Sequence, residues 1–115
     1  MNEIYQNRVE IANDFVNLIK CFDALGDSTR VQILALLLEN PSAEMCVNEI
    51  AQSIYLSRPA ISHHLKVLKD CDMINCRTEA QYNYYSINKN TPVWEELCKL
   101  FSKVNNLLEL IKERK

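Results

Sequence analysis

Two short helical patterns joined by a very short connection constrain this chain more than any other feature. Apolar residues recur at helical spacing over residues 47–54 and again over residues 61–68. Only two residues separate the first pattern from Ser57, which is a good N-cap for the second helix. Pro59 fits the first turn of that helix, because a missing N–H costs little there. The sequence therefore predicts a helix-turn-helix at about residues 47–70.

A β-hairpin is predicted directly after these helices. Residues 74–78 and 82–87 are rich in strand-forming side chains and flank a short connection. A hairpin in this position is a candidate wing, at about residues 74–87. The 115 residues contain one glycine and three prolines, which leaves no long flexible linker. We therefore expect one winged-helix domain over residues 1–115, mainly α with a small β-hairpin and about five helices.

The first third of the chain predicts two helices. Apolar residues at helical spacing extend from Ile4 to Leu25, and Gly26 ends the pattern. Asp27 can cap the next helix through its carboxylate. Because residues 31–38 are apolar nearly all round, we expect that helix to lie in the middle of the domain.

Long amphipathic helices at both ends of the chain predict a homodimer. The first covers about residues 4–22 and the second about residues 93–112, which follow Pro92. A small domain does not need both helices to close its core, so their remaining apolar surface suggests a partner. The side chains expected to anchor that dimer are Phe15, Trp94, Leu97 and Phe101.

The distribution of charge matters more than the net charge of −2. That net charge argues against a protein that only coats nucleic acid, but DNA binding depends on the local field over the contact surface. Residues 55–78 carry four cations and two acids. Clusters of acids are expected elsewhere, at Glu39, Glu44 and Glu49 and at Glu95 and Glu96.

Nothing in the sequence indicates export or membrane insertion. The longest apolar run, residues 33–38, is far too short to cross a membrane, and the amino terminus lacks an export signal. We expect a cytoplasmic protein with no membrane partner, whose five cysteines are reduced thiols.

The second helix of the predicted helix-turn-helix presents a polar outer face. With Ile61, Leu65 and Leu68 turned inward, the opposite side is available to the major groove of DNA. Arg58 can reach a guanine edge or a phosphate, whereas the lysines and Arg77 are better placed to neutralise phosphates. A basic face alone is often merely solvated, but one within a winged helix-turn-helix favours DNA. The expected DNA-binding residues are Ser57, Arg58, Pro59, Ser62, His63, Lys66, Lys69 and Arg77.

The two histidines do not predict a metal site. His63 and His64 are adjacent, so their side chains point about 100° apart on a helix and cannot chelate one ion together. We expect His63 to be a donor on the DNA-facing side. His64 is expected to pack at the edge of the core with a hydrogen-bond partner.

Three segments resemble the ArsR-type (ArsR/SmtB) family of winged-helix regulators. Residues 24–34, ALGDSTRVQIL, are similar to the LADPTRLRIL opening of that family, and residues 56–68, LSRPAISHHLKVL, to its recognition-helix pattern LSQPTVSHHLKVL. Tyr84, Tyr85 and Ile87 match the end of its wing. The resemblance implies a winged-helix dimer joined by its first and last helices, acting as a repressor that an inducer releases. A two-fold dimer predicts binding to an imperfect inverted repeat of double-stranded DNA.

The chain departs from that family at the two ends of the wing. Asp72 stands where the family often has glycine after the recognition helix, and aspartate tolerates a left-handed conformation. At the wing tip, residues 78–81 read Thr-Glu-Ala-Gln where the family often has Arg-Glu-Gly-Arg. The loss of both arginines and the glycine argues against a strong contact between this wing and DNA.

The metal sites implied by the resemblance are incomplete. In metal-sensing relatives the helix before the turn begins Glu-Leu-Cys-Val-Cys, and here Cys46 keeps the first thiol while Asn48 replaces the second. Soft metals such as arsenic, cadmium or lead want two or three sulfurs. Residues 92–115 contain no histidine or aspartate, so we expect the other family site, on the last helix, to be absent.

Cys46 remains a candidate thiol sensor. It precedes a helix whose N–H groups favour a thiolate, although Glu49 opposes this with its own charge. Pairing with Cys21 or Cys98 on the end helices could sense persulfide, an oxidant or a soft metal. The remaining thiols, Cys71 and Cys76, are expected to pack in the core. A small organic inducer, or none, is the alternative.

Two other classes of function were weighed against a DNA-binding regulator. A winged-helix module that binds only proteins would suit the weak wing and the acidic net charge, but the outward Ser62, His63 and Lys66 oppose it. A thiol enzyme needs a cysteine beside a base, and both histidines lie on the recognition helix. We therefore do not expect an enzyme.

Overall fold

In a computed structural model, residues 3–42 and 44–113 are described, and they form a winged helix, as predicted. The fold is mainly α with a small antiparallel sheet. Its elements are α1 Glu3–Asn17, α2 Ile19–Leu25, α3 Ser28–Glu39, β1 Met45–Cys46, α4 Val47–Ile54, α5 Arg58–Asp70, β2 Ile74–Glu79, β3 Tyr82–Ile87 and α6 Val93–Glu113. Residues 1, 2, 43, 114 and 115, which the predicted domain also includes, lie outside the described residues.

Local signals at both ends of its turn define the helix-turn-helix. Tyr55 ends α4 in a left-handed conformation, with φ at 63°. Ser57 caps α5 as predicted, since its hydroxyl accepts a hydrogen bond from the N–H of Ala60 at 3.3 Å, and Pro59 occupies the first turn. The inward side of α5 is fully buried at Ile61, Leu65 and Leu68.

The sheet has the strand order β1-β3-β2, with both pairs antiparallel. β2 and β3 form the predicted hairpin, in which Glu79 lies opposite Tyr82 and leaves a two-residue loop. β1 adds two residues to the other edge of β3, with Cys46 opposite Tyr84. The sequence did not predict β1, because two residues are too few to show the alternation of a strand.

Two residues that are not glycine adopt left-handed conformations at the ends of the wing. Asp72, which follows α5, has φ at 61°, the conformation that aspartate was expected to tolerate there. Ala80, in the hairpin loop, has φ at 56°. A side chain in this region costs about 1–2 kcal/mol, so the wing tip carries strain that glycine would relieve.

The prediction of one continuous helix from Ile4 to Leu25 is wrong. α1 ends at Asn17, and the N–H of Leu18 bonds to the carbonyl of Phe15 at 3.2 Å in a tight turn before α2. Leu18 is still buried, so the apolar spacing continues across the break and gives no sign of it. The described residues therefore contain six helices where about five were expected.

α3 lies in the core on one face only. Asp27 caps it as predicted, accepting from the N–H of Thr29 at 2.8 Å. These backbone N–H groups, that of Arg30 foremost, lower the pKa of Asp27. Val31 and Leu38 are 47% and 72% exposed, so the expected position in the middle of the domain is only half correct. The buried residues of α3 are Ile33, Leu34 and Leu37.

The chain divides into two compact units. Residues 21–91 contain the helix-turn-helix and the sheet, and residues 3–20 with 92–113 form the other unit. Within the latter, the ammonium group of Lys103 lies 2.8 Å from Asp14 and 2.7 Å from Glu10, which raises the pKa of Lys103. Over the described part of the chain, no helix combines the length and apolar character needed to span a membrane.

Candidate nucleic-acid interface

The outer face of α5 is exposed, as its helical spacing predicts. We use this name for Arg58, Pro59, Ser62, His63, Lys66 and Lys69, all of which are exposed. The opposite side of the helix is fully buried. A helix anchored in this way presents its polar side chains from a fixed backbone. A fixed backbone is needed if those side chains are to recognise the edges of bases.

Arg30 fixes the flank of α5, a role that the sequence analysis did not assign. Its guanidinium group donates to Nδ1 of His64 at 3.1 Å and to the carbonyl of Ala24 at 2.6 Å. Because a guanidinium group can only donate, Nδ1 of His64 is an acceptor in this contact. The half-buried His64 is thus packed and hydrogen-bonded, as predicted. The sequence signals for Arg30 were its place just after the cap of α3 and its match to the arginine of the family opening.

Arg58 faces the wing tip across a small groove of about 100 Å³. The start of α4, the start of α5 and the tip of the hairpin meet there. The groove is lined by Cys46, Val47, Asn48, Arg58, Gln81, Tyr82 and Asn83. Arg58 and the polar wing tip therefore belong to one continuous surface.

The lysines of α5 make few contacts with acidic side chains. The ammonium group of Lys66 lies 3.1 Å from Asp70, one helical turn away, and the two side chains are 74% and 50% exposed. An exposed pair of this kind is worth only a few tenths of a kcal/mol, so it opens readily. Lys69 is also exposed, in the last turn of the helix. Both cations are available to an incoming phosphate.

Arg77, the predicted cation of the wing, is held by two carboxylates. Its Nε and Nη2 donate to the two oxygens of Glu44, both at 3.0 Å, and its Nη1 donates to Glu79 at 3.1 Å. Its Cζ lies 4.9 Å from the centre of the Tyr84 ring, within the range of a cation–π contact. We call Arg77, Glu44, Glu79 and Tyr84 the Arg77 cluster.

The Arg77 cluster corrects the expected distribution of charge. Glu44 was expected to lie away from the basic surface, yet the strand order β1-β3-β2 places the segment just before β1 close to the wing. The hydrogen bonds from Arg77 lower the pKa of Glu44, and those accepted by Glu44 and Glu79 raise the pKa of Arg77. One guanidinium group faces two carboxylates, so this part of the wing is net negative.

The candidate sensor thiols lie in different environments. Cys46 is half-buried at the N-cap of α4, and its backbone N–H donates to the carboxylate of Glu49 at 2.9 Å. Cys21 is buried in α2, and Cys98 is exposed on α6. Cys71 is buried at the end of α5, and Cys76 is half-buried on β2. Within the described ranges no three His, Cys, Asp or Glu side chains come together as a metal site.

The residues expected to anchor a dimer differ in exposure. Phe15 and Phe101 are 41% and 53% exposed. Trp94 is half-buried, and its indole N–H has no hydrogen-bond partner among the described residues. Leu97 is buried within the chain itself, so its selection as a dimer contact needs correction.

An apolar stripe on the first two helices was missed. Its members recur at alternating spacings of four and three residues and are all exposed: Tyr5, Val9, Ala12, Val16 and Ile19. Such spacing is typical of a helix surface that packs against another helix. The sequence contains this spacing, but the buried Ile11 of α1 and Leu18, between α1 and α2, belong to the same apolar pattern. Periodicity alone does not say which stripe closes the core.

Comparison with known proteins connects this architecture to a family. The model of the "Bacterial regulatory protein, arsR family" matches residues 27–75. An uncharacterized HTH-type transcriptional regulator of Methanocaldococcus jannaschii is 46% identical over 66 residues, which cover 57% of this chain and 72% of the relative. The transcriptional repressor SdpR of Bacillus subtilis is 40% identical over 67 residues, covering 58% and 71%.

Solved structures agree with the sequence comparison. The homodimeric winged helix-turn-helix DNA-binding domain of Mb0332 from Mycobacterium bovis superposes with a TM-score of 0.60 at 26% identity. The match covers 85% of this chain and 83% of that domain. The chain belongs to the ArsR family of regulatory proteins.

Proposed function

We propose that this protein is a homodimeric, sequence-specific repressor whose α5 enters the major groove of double-stranded DNA. The observation that carries the proposal is the outer face of α5, with exposed cations and short polar side chains on a helix whose other side is fully buried. Similarity to a transcriptional repressor and to a DNA-binding winged helix supports it.

Ser57, the N-cap of α5, and the polar residues of the outer face of α5 have distinct roles in this proposal. Ser57 and Ser62 are short, so the helix can approach the bases closely, and Arg58 donates to a guanine edge or a phosphate. His63 donates from the middle of the face. Lys66 and Lys69 neutralise phosphates, which positions the helix without reading sequence. Specificity and affinity thus come from different side chains of one helix.

A second copy of this chain is the proposed partner of the apolar stripe on α1 and α2. Val16 and Ile19 are 63% and 60% exposed, which is costly for a monomer in water. Each such side chain contributes on the order of 1.5–3 kcal/mol when buried, before entropy is subtracted. The resemblance to a homodimeric domain supports the same partner.

Sedimentation of two variants tests the dimer. Val16→Glu places a charge in the stripe and is expected to shift the protein toward its monomer mass of 13.4 kDa at micromolar concentration. The control, Gln52→Glu, adds the same charge at an exposed position on α4, away from the stripe, and should leave the dimer intact. A monomeric parent protein would contradict the proposal.

The operator follows from the symmetry of that dimer. Two copies of α5 related by a two-fold axis would read an imperfect inverted repeat, with half-site centres separated by a multiple of about 10–10.5 base pairs. The test is fluorescence anisotropy with duplexes from the region upstream of the protein's own gene, followed by footprinting. Tight binding to one inverted repeat and weak binding to its scrambled duplex are expected. Equal affinity for both would reject a sequence reader and favour a module that binds proteins.

The proposed repressor is released by an inducer, and Cys46 is the thiol through which sulfur chemistry would act. It caps α4 and lines the groove that also contains Arg58, so its modification would disturb the surface proposed to face DNA. Bound operator would be challenged with persulfide, peroxide, arsenite and cadmium. Release of the parent but not of Cys46→Ser is expected, with Cys76→Ser as the matched control. Equal release of parent and Cys46→Ser would exclude Cys46 and leave Cys21 and Cys98 to be tested.

A further inference from the structure

The Arg77 cluster sits at the edge of the proposed DNA-binding surface and is not explained by that function. Arg77 lies on β2, opposite Tyr84 of β3, which in turn lies opposite Cys46 of β1. Residues directly opposite one another share a face of the sheet, and so do alternate residues along an extended chain. Glu44, two residues before Cys46 and just outside β1, therefore lies on the same side of the sheet as Arg77. The guanidinium group thus crosses β3, over the Tyr84 ring, to reach Glu44.

The cluster occupies three of the five N–H donors of Arg77, including a planar pair that a phosphate would use. A phosphate is recognised by the same planar pair of N–H groups that a carboxylate takes. In Arg77 that pair, Nε and Nη2, is bound to Glu44, and Nη1 is bound to Glu79. The three contacts involve all three nitrogens of the group, whereas Lys66 has a single contact to one acid.

The cluster is nevertheless exposed enough for exchange. The side chains of Arg77, Glu44 and Glu79 are 48%, 35% and 70% exposed. At such a site, ion pairs are screened by water and salt, and their net free energy is small. A DNA phosphate held nearby by α5 could therefore compete for Arg77, at the expense of leaving carboxylates near the DNA.

We infer that Glu44 is an intramolecular competitor for DNA: it holds the wing arginine away from the phosphate backbone and thereby sets the operator affinity below what the surface could reach. The inference rests on the proposed DNA binding. Glu79 contributes in the same direction, but less, because it makes one contact with Arg77 and not two. The wing then makes no phosphate contact through Arg77 as long as Glu44 remains bound to it.

The experiment compares Glu44→Gln with the parent protein on one operator duplex over a range of salt concentrations. Freeing Arg77 in both protomers is expected to tighten binding about three- to tenfold, the size of two exposed ion pairs. It should also steepen the slope of log affinity against log salt by about 1.8, which corresponds to two additional phosphate contacts. The control Glu39→Gln removes the same charge from an exposed residue outside the cluster and should leave the slope unchanged.

A double variant separates release of Arg77 from a general loss of negative charge. In an Arg77→Gln background, Glu44→Gln has no arginine to free, so it should not steepen the slope. An equal steepening in both backgrounds would overturn the inference, as would a Glu44→Gln slope identical to that of the parent. Absence of specific binding by the parent would instead reject the proposed function. Thermal melting of each variant checks that the fold is intact.

Discussion

The outer face of α5 and the wing both contribute cations to the proposed DNA-binding surface. The two regions differ in how strongly other side chains bind those cations. Lys66 has one exposed neighbour on its own helix, at 3.1 Å. Arg77 has two carboxylates and an aromatic ring around it. The difference shows that the contribution of a basic residue to DNA affinity depends on the acids already paired with it in the free protein.

The largest expected effect is on α5. Ser62→Glu should weaken operator binding by at least about 100-fold, because a carboxylate would meet the negative DNA surface in a partly desolvated groove, where like charges cost several kcal/mol. Ser62 is exposed opposite the buried side of α5, so folding and dimerisation should be unaffected. Anisotropy with the operator duplex measures the loss.

A matched control makes that result specific. Ser102→Glu introduces the same side chain on α6, on a polar stripe with Lys99 and Asn106, all three of them exposed. It should bind the operator within about twofold of the parent, because surface changes away from a binding site have small effects. Parent-like binding by Ser62→Glu would show that α5 is not the reader.

The wing tip should show an effect on stability but not on DNA binding. Ala80→Gly is expected to stabilise the protein by about 0.5–1 kcal/mol, because it relieves a left-handed φ while adding entropy to the unfolded chain. Ala35→Gly, at an exposed position inside α3, should destabilise it by a similar amount. Thermal melting gives both values, and a lower melting temperature for Ala80→Gly would refute the strain assigned to the wing tip.

The smallest expected effect is the dependence of the Arg77 cluster on acid. The folded-state pKa of Glu44 lies below its usual value of 4.5, so the stability that the pair contributes is complete above pH 4.5. It is lost as the pH falls through the lowered folded-state pKa, where Glu44 becomes protonated. Glu44→Gln lacks this contribution, so its melting temperature should approach that of the parent as acid is added. A constant difference between the two proteins over this range would exclude the assigned role of Glu44.

Local signals explain most of what the sequence predicted. Ser57 and Asp27 are caps whose partners lie three and two residues away, and the buried side of α5 follows from spacing within one helix. The left-handed Asp72 likewise follows from the chemistry of a single residue. Features of this kind could be predicted because the information lies within a single residue, cap or helix.

The contact between Glu44 and Arg77, which the sequence did not predict, joins distant segments of the chain. Glu44 and Arg77 are 33 residues apart, and only the pairing of a two-residue strand with β3 brings them together. The break at Leu18 was hidden because the apolar spacing continues through it. The sequence did not reveal that Arg77 is paired with Glu44, since no local pattern shows an acid supplied by a distant segment.

The most direct test of the account compares the salt dependence of operator binding for two variants. Lys66→Gln removes a cation of α5 that is available to phosphate. Arg77→Gln removes a cation of the wing that is bound to Glu44 and Glu79. Since each phosphate contact contributes about 0.9 to the slope of log affinity against log salt, Lys66→Gln should flatten it by about 1.8 for the dimer. Arg77→Gln should leave the slope unchanged. A flattening by Arg77→Gln equal to that by Lys66→Gln would contradict the account.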